Sequence, residues 1–422
     1  MTSKYSIFHD EAFHDHKVTA KHKTHLNIES KDSSSYFYLM HLGFPNEKLD
    51  DYLHKYLNIE SNYKKQLHLT DEQELKGTTI KKRWFKYGIQ SMNEKQIDFY
   101  EDFLSLIDKD VLISVSVINQ FELVFSIVFH DYIRHLLQRA DFLQSYYAFC
   151  KFLYMNKTET LITLLFDIEN NQSAIKQEIK QIAENVIKQN ESIPHKYTET
   201  PTAKALLDFI INSEFNFYTI KDYNMDYEWS FEALNSLLNE LNIPNNTCKI
   251  YIDGEQGFEH IIQMLQNEDF YSVEGVNSSK STGTRMTDMF IRLVSAIIHS
   301  LEDQLINIGK HDKENKHDLS EEWFKLNEKQ FNLYKTIATI FNQRINIPMT
   351  TSLSIYKDAP FIFFRLLDYI DRFESFSAFK NKSAIDHSYT FIGFSLTAFQ
   401  YHLDNQLYDH LYCHSNQLPF ID

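Results

Sequence analysis

The chain has 422 residues, with 42 Lys and Arg against 58 Asp and Glu, which gives a formal net charge of −16. A hydrophobic share of 43% excludes wholesale disorder, and only 9 glycines and 7 prolines favour long helices. The glycines have neither dinucleotide-binding nor phosphate-loop spacing, so we expect no nucleotide cofactor. Three cysteines without a Cys-x-x-Cys pair, and no apolar window of about 18 residues, predict a cytoplasmic protein with no membrane partner.

The first 120 residues alternate between predicted strands and helices. Aromatic or β-branched runs predict strands at about 5–8, 36–44 and 111–118. Apolar residues at helical spacing predict helices at 45–57 and 94–107, and a short extended region is predicted within 66–76. We therefore interpret residues 1–120 as the first part of a sheet-centred core.

The next part of the chain is predicted to be a helical insertion, over residues 121–245, because nearly all of it has amphipathic helical spacing. Strand patterns return at 247–253 and 270–276, and a long helix is predicted from 284 to about 306. We interpret residues 246–310 as the second part of the core.

A polar linker is predicted at 311–318, and residues 319–422 are predicted to form a helical C-terminal extension. The buried strands come from both ends of the first 306 residues. They are covered only if they meet in one mixed sheet with helices on its faces, so the sequence predicts an α/β fold.

Four carboxylates lie at the ends of these predicted elements. Asp10 ends the first strand, Glu74 lies in the extended region, Asp253 ends a later strand and Asp288 lies one turn into the long helix. The ends of neighbouring strands open into a shared crevice, so side chains placed there can lie close together. Neighbouring carboxylates suppress one another's ionisation unless a cation compensates, and oxygen ligands favour Mg²⁺ or Mn²⁺. The pattern predicts a site for one or two such ions, which suits phosphodiester hydrolysis.

The order of these motifs resembles the bacterial domain of unknown function 3800 family, which is grouped with ribonuclease-H-like folds. The corresponding stretches are 8–12, 36–44, 74–77, 112–118, 251–253, 279–280 and 286–289. The resemblance implies a ribonuclease-H-like mixed sheet carrying the helical insertion and extension. It also implies a metal-dependent nuclease acting on RNA or DNA, with a role in phage defence or mobile-element conflict.

The resemblance also implies roles for particular side chains. Asp10 corresponds to the bridging metal ligand, and Glu74, Asp253 and Asp288 to the remaining ligands. Lys76 and Lys280 are candidates to stabilise phosphate or transition-state charge.

Two further residues are candidates to support this site. Glu11 follows Asp10 in a strand, so its side chain should point to the opposite face of the sheet. Arg292 lies one turn after Asp288 and is a candidate partner for that carboxylate in a salt bridge.

A basic segment with an aromatic residue, Lys81-Lys82-Arg83-Trp84, is the candidate nucleic-acid-binding element. It suits phosphate contacts and stacking on a base. The alternative is a solvated face with Trp84 inserted in the core.

A second hypothesis is a catalytically inactive module that keeps the fold and binds protein or nucleic acid through its helical parts. Two departures from the family pattern support it. Ala12-Phe13 stands where Ser-Gly is usual, and Thr287 stands where Ala is usual. Carboxylates on opposite faces of the sheet would exclude the nuclease, and carboxylates around one cavity would favour it.

Overall fold

One six-stranded mixed sheet organises the computed structural model, so the chain is an α/β protein. The described residues are 3–12, 36–70, 73, 75–165, 167–191, 199–212, 217, 228–253, 259–306, 319–342 and 347–405. The strands among them are β1 Tyr5–Ala12, β2 Tyr36–Pro45, β3 Lys86–Ile89, β4 Leu112–Asn119, β5 Cys248–Asp253, β6 Ser272–Val276 and β7 Met349–Leu353.

The sheet has the strand order β6-β5-β1-β2-β4-β7. β1 and β2 pair antiparallel, as do β2 and β4. β5 runs parallel to β1, β6 parallel to β5, and β7 parallel to β4. Helices cover both faces, which is why central strands such as β2 are apolar at nearly every position instead of alternating.

The helices of the described residues surround this sheet. They are α1 Leu49–Gln66, α2 Glu94–Leu104, α3 Gln120–Val128, α4 His130–Leu136, α5 Phe142–Asn156, α6 Glu159–Leu164, α7 Ile168–Asn190, α8 Glu199–Asn212, α9 Glu228–Glu240, α10 Glu259–Gln266, α11 Thr282–Ile306, α12 Glu328–Phe341, α13 Asp358–Asp371, α14 Phe376–Lys380 and α15 Ala384–Asp404. Of these helices, none combines the length and the apolar character needed to cross a membrane.

The two faces of the sheet have separate cores. On one face α11 lies over β1 and β2, and its apolar side chains join those of α1, α2, α12 and α13. On the other face α9 and α10 pack against the sheet. The helices α3 to α8 form a third core of their own, to which Tyr356 contributes.

The prediction of a purely helical C-terminal extension is wrong in one respect, because residues 349–353 form β7 and extend the sheet beyond β4. This five-residue strand, Met-Thr-Thr-Ser-Leu, is too short and polar to show a strand pattern. It forms because the edge of β4 offers backbone groups that need partners. The predicted linker at 311–318 lies outside the described residues.

The other predicted strands are confirmed, with shifted ends. β1 continues to Ala12 because its pairing with β2 extends to that residue. The prediction of an extended region within 66–76 is wrong for the residues that the structure describes. Residue 66 belongs to α1, and 67–70, 73 and 75–76 contain no strand. A 3-10 turn at Gly77–Thr79 follows.

Glu122 on α3 ties the helical insertion to the chain that follows β7. Its buried carboxylate accepts the backbone N–H groups of Ile355 at 3.0 Å and Tyr356 at 2.6 Å. Burial raises the pKa of Glu122 to about 7, and the two N–H donors only partly oppose that rise. The folded state therefore favours the protonated carboxyl.

This raised pKa predicts a pH-dependent stability. A carboxyl with a raised pKa in the folded state stabilises the fold below its ordinary pKa and loses that contribution as pH rises through about 7. Relative to Glu122→Gln, the wild-type free energy of unfolding should fall by about 2 kcal/mol between pH 5 and pH 8, measured by urea denaturation. The exposed Glu184 on α7 gives a matched control, Glu184→Gln. Parallel pH curves for wild type and Glu122→Gln would contradict this account.

Candidate active site

Asp10 and Asp253 lie side by side on neighbouring parallel strands. The register of β1 with β5 places His9 beside Ile252, so the next residue of each strand is one of these two aspartates. Two residues earlier, the rings of Phe8 and Tyr251 stack with centroids 4.9 Å apart. Because side chains alternate along a strand, both carboxylates share the face that carries these rings.

The helix α11 brings Asp288 to the same face. Gly283 lies so close to the strand that a Cβ there would come within 2.5 Å of the Phe8 ring. The Thr287 hydroxyl donates a hydrogen bond that is shared between two carbonyl oxygens. They are that of Phe8 on β1, at 3.4 Å, and that of Gly283 on α11, at 3.0 Å. The first turns of α11 therefore rest on β1, and Asp288 follows directly.

The electrostatics of Asp10 reflect this crowding. Its side chain is buried, and burial is the main cause that raises its pKa well above the ordinary range. The charge of Asp288 raises the pKa of Asp10 further, followed by smaller effects of Glu11 and Asp253. The Glu11 N–H donates to Asp10 Oδ1 at 2.8 Å and opposes the rise. A cation placed among these carboxylates would reverse the effect.

The segment after α1 reaches Asp288 through a glycine. The Gly77 N–H donates to Asp288 Oδ2 at 2.6 Å, and a Cβ on Gly77 would collide with Asp288 Oδ1. Lys76, directly before it, is exposed. Glu74, the fourth predicted ligand, lies outside the described residues.

Arg292 holds the same segment from the next turn of α11. Its guanidinium, through Nη2, donates to the Ile80 carbonyl at 2.9 Å. Burial lowers the pKa of Arg292, while Tyr100 and Asp288 partly offset that effect. Arg292 thus supports the site by fixing the 77–80 turn, in addition to its electrostatic interaction with Asp288.

A buried ion pair anchors the turn that carries Lys280. Asp253 Oδ1 accepts the Ser278 N–H at 3.3 Å. Arg285 Nη1 donates to the Ser278 and Ser279 carbonyls, each at 3.2 Å. Its Nε and Nη2 donate to the two carboxylate oxygens of Glu60 on α1, at 2.9 and 3.0 Å. The exposed Lys280 is therefore presented beside Asp253 by a fixed turn.

Arg285 and Glu60 were not predicted from the sequence, although a signal was present. Glu60 falls on the apolar stripe of α1 in line with Tyr52 and Tyr56, at i, i+4 and i+8. Arg285 is a buried charge in line with the apolar Met289 and Leu293 of α11, at i, i+4 and i+8. A charge on a core stripe requires a partner, and two such charges on packed helices suit each other.

The candidate nucleic-acid-binding segment lies beside a part of α11 that is about four helical turns beyond Asp288. Lys81, Lys82 and Arg83 are exposed, and Trp84 is half-buried against the main core. They lie at the 3-10 turn Lys82–Phe85, beside α11, where Lys82 Nζ is 3.3 Å from an Asp303 carboxylate oxygen.

The prediction that Glu11 points away from Asp10 is confirmed. Glu11 Oε2 lies 3.4 Å from His9 Nε2, and His9 packs against Phe231 of α9 on the other face of the sheet. Glu11 therefore reaches Asp10 through its backbone N–H and its charge, and does not line the α11 face.

The chemistry of the donor set suits a hard divalent cation, because Asp10, Asp253 and Asp288 offer only oxygen. Across the described ranges, which leave out Glu74, no three His, Cys, Asp or Glu side chains are grouped so that they could hold an ion.

No family model matches this chain, and neither does a curated protein or a solved structure. The case for a site here therefore rests on the arrangement of Asp10, Asp253 and Asp288, and not on similarity to a known protein.

Gly77 gives a first test of this geometry. Gly77→Ala should lower the free energy of unfolding by about 1–3 kcal/mol, because the new methyl group meets Asp288 Oδ1 and the Arg292 stem. In an Asp288→Ala background the same change should cost less, by about 0.5–3 kcal/mol in a double-mutant cycle measured by urea denaturation. Equal costs in both backgrounds would show that the segment does not lie against Asp288.

The buried ion pair gives a second test. Arg285→Met alone should cost about 3–5 kcal/mol of stability, because it leaves the Glu60 carboxylate buried without its main partner. The double variant Arg285→Met with Glu60→Leu should recover much of that loss. Thermal or urea unfolding measures both. Additive losses in the double variant would refute the pairing.

Proposed function

We propose that this chain is a metal-dependent nuclease, a hydrolase of phosphodiester bonds in RNA or DNA. The observation that carries the proposal is the arrangement of Asp10, Asp253 and Asp288. They lie on one face of the sheet, on two neighbouring parallel strands and on the helix that covers them. Carboxylates on opposite faces would have excluded a shared cation, and these three are on the same face.

The strand arrangement supports a ribonuclease-H-like core. Three strands, β1, β2 and β4, are antiparallel neighbours, and β5 and then β6 add in parallel on the other side of β1. A central first strand that carries a carboxylate is what a ribonuclease-H-like core would require, and in this respect the strand order supports the proposal. The insertion of α3 to α8 between β4 and β5, with a core of its own, supports the proposed division of the chain, while α9 within the predicted insertion instead packs on the sheet.

The raised pKa of Asp10 supports a cation at this position. Burial among other carboxylates disfavours the ionised form of Asp10 and so raises its pKa, and a positive charge beside it would stabilise the anion. Asp10, Asp253 and Asp288, with Glu74, are the residues that would hold Mg²⁺ or Mn²⁺. When bound, one or two such ions would supply an activated water and stabilise the leaving oxygen.

The cationic side chains around the site would bind the nucleic acid. Lys76 and Lys280 belong to the two turns held against Asp288 and Asp253, so both flank the carboxylates. Exposed Lys81, Lys82 and Arg83 lie further along α11, where Lys82 pairs with Asp303. Lys76 and Lys280 would locally offset the repulsion between a polyanion and a chain of net charge −16.

A second candidate function is an inactive module that keeps this fold for binding. One observation favours it: Asp253 and Asp288 each accept a backbone N–H, the role of an aspartate that only fixes a turn. In this case the carboxylates would organise the 277–281 and 77–80 turns without a cation.

Hydrolysis assays separate the two candidates. Purified chain with Mn²⁺ should cleave single- or double-stranded RNA or DNA, and chelation should stop the reaction. Asp10→Asn and Asp253→Asn should each reduce the rate more than about 100-fold, because even an outer partner of a metal ligand is worth 10–100-fold. Glu274→Gln, an exposed acid on β6, is the matched control and should keep wild-type activity.

Equal cleavage by wild type and Asp253→Asn would assign the activity to a contaminant. The absence of cleavage in all four substrates, together with an unchanged melting temperature on adding Mn²⁺, would reject the nuclease and favour the binding module. A metal ion held by the fold must raise the melting temperature, so this second readout does not depend on the choice of substrate.

A further inference from the structure

The α11 face of the sheet is buried at its centre and becomes open toward the β6 edge. Along β2, and on β1 as far as Asp10, every side chain of this face is buried. On β5 the side chains of the same face, Lys249, Tyr251 and Asp253, are half-buried, while the residues that alternate with them face the other way and are buried. The border between covered and open sheet therefore runs between Asp10 and Asp253.

The positions of the described helices account for this difference. α11 packs mainly against β1 and β2, and α10, the helix that packs against β6, lies on the opposite face of the sheet. β6 is the edge strand, and its side chains on the α11 face, at positions 272, 274 and 276, are half-buried or exposed. We call the α11 face of β5 and β6 the open strip. Because the open strip adjoins Asp253, it is a direct approach from solvent to the three carboxylates.

Tyr251 is the aromatic side chain at the centre of the open strip. Its ring stacks on the buried Phe8 ring of β1, with centroids 4.9 Å apart and 15° between the ring planes. Phe8 therefore covers one face of the Tyr251 ring and fixes its orientation. The residue is half-buried, so the part that its neighbours leave uncovered faces solvent, two positions from Asp253. A rigid ring beside a candidate metal ligand suits stacking on a nucleic-acid base.

Two lysines lie at the two ends of the line that β5 forms. Lys249 precedes Tyr251 by two residues on the same face, about 6.6 Å along the strand. Its ammonium nitrogen lies 5.7 Å from the centroid of the exposed Tyr271 ring. Lys280, at the other end, is exposed in the turn that is hydrogen-bonded to Asp253. Cations on either side of an aromatic ring are how proteins hold single-stranded nucleic acid, with phosphates at the cations and a base on the ring.

A further acid of the open strip lies to one side of this line. Glu274 is exposed on β6, and its Oε1 accepts the Ser272 hydroxyl at 3.3 Å. Its charge disfavours a phosphate over the edge strand, so the phosphates would follow β5 from Lys249 to Lys280.

We propose that the substrate crosses the open strip as a single strand of RNA or DNA, with a base stacked on Tyr251 and a phosphate at Lys249. This inference rests on the proposed nuclease activity and narrows its substrate class. In a duplex each base is already stacked between its neighbours, so its face is not available to a side chain until the strand is unpaired. A single strand offers both a free base face and flexible phosphates. Tyr251 and Lys249 are thus binding residues, two and four positions from Asp253.

Binding of a short oligonucleotide tests this path, with Ca²⁺ in place of Mn²⁺ and gel electrophoresis to confirm that the strand stays intact. The oligonucleotide carries the fluorescent base 2-aminopurine, whose emission reports stacking. The wild type should bind the single strand at least about tenfold more tightly than the matching duplex. Tyr251→Leu should weaken binding by about 5-fold to 100-fold and remove the change in emission, because the base loses its stacking partner.

Matched variants separate stacking and charge from general damage to the fold. Tyr251→Phe keeps the ring and should bind as the wild type does, and Tyr389→Leu, which removes an exposed tyrosine of α15, should also leave binding unchanged. Lys249→Gln should lower the slope of log K against log salt concentration by about 0.7, the value for one phosphate of a single strand. Lys204→Gln, at an exposed position on α8, is the control for that charge. Circular dichroism checks that each variant is folded, and the Lys249→Gln slope tests the path even if Tyr251→Leu is unstable.

The inference is overturned if folded Tyr251→Leu binds single strands as tightly as the wild type, if the duplex binds as tightly as the single strand, or if the wild type binds neither. These results differ from a failure of the proposed nuclease. Mn²⁺-dependent cleavage that is lost in Asp253→Asn, together with unchanged binding in Tyr251→Leu, would retain the nuclease and reject the path. Binding as described, without cleavage in Mn²⁺, would retain the path and reject the nuclease.

Discussion

The close packing of α11 on β1 is the contact on which the candidate site depends. It rests on Gly283, where a side chain would collide with the Phe8 ring, and on Thr287, whose hydroxyl bridges the helix and the strand. This contact sets the height and rotation of the helix above the sheet. Asp288 is thereby carried to the face that Asp10 and Asp253 share.

Two turns are attached to this frame by its own carboxylates and arginines. Asp288 and Arg292 hold the 77–80 turn, while Asp253 and the Arg285–Glu60 pair hold the 277–281 turn. One exposed lysine, Lys76, lies directly before the first turn, and another, Lys280, lies within the second. Negative groups in the interior and positive groups at the rim are the arrangement that a cation and a phosphate would require together. The same contacts would also fix the turns of an inactive binding module.

Much of the frame could be predicted from the sequence, because the strands and α11 have strong local patterns. Asp10, Asp253 and Asp288 could be located because each belongs to such an element, although β1 continues two residues past Asp10. β7 could not, since its pairing with β4 depends on a distant edge and not on its own five residues. The Arg285–Glu60 pair was not predicted for a similar reason. Each of the two buried charges requires the other as its partner, and the two residues are 225 positions apart in the sequence.

A crystal structure of the chain soaked in Mn²⁺, with anomalous diffraction to locate the ion, would show directly whether Asp10 and its neighbouring carboxylates bind a cation. We expect one or two Mn²⁺ peaks on the α11 face of the sheet, in contact with Asp10 and at least one of Asp253 and Asp288. Ligand distances near 2.0–2.3 Å would establish coordination. A map with no peak at these carboxylates, while they keep their hydrogen bonds to Gly77 and Ser278, would contradict this expectation.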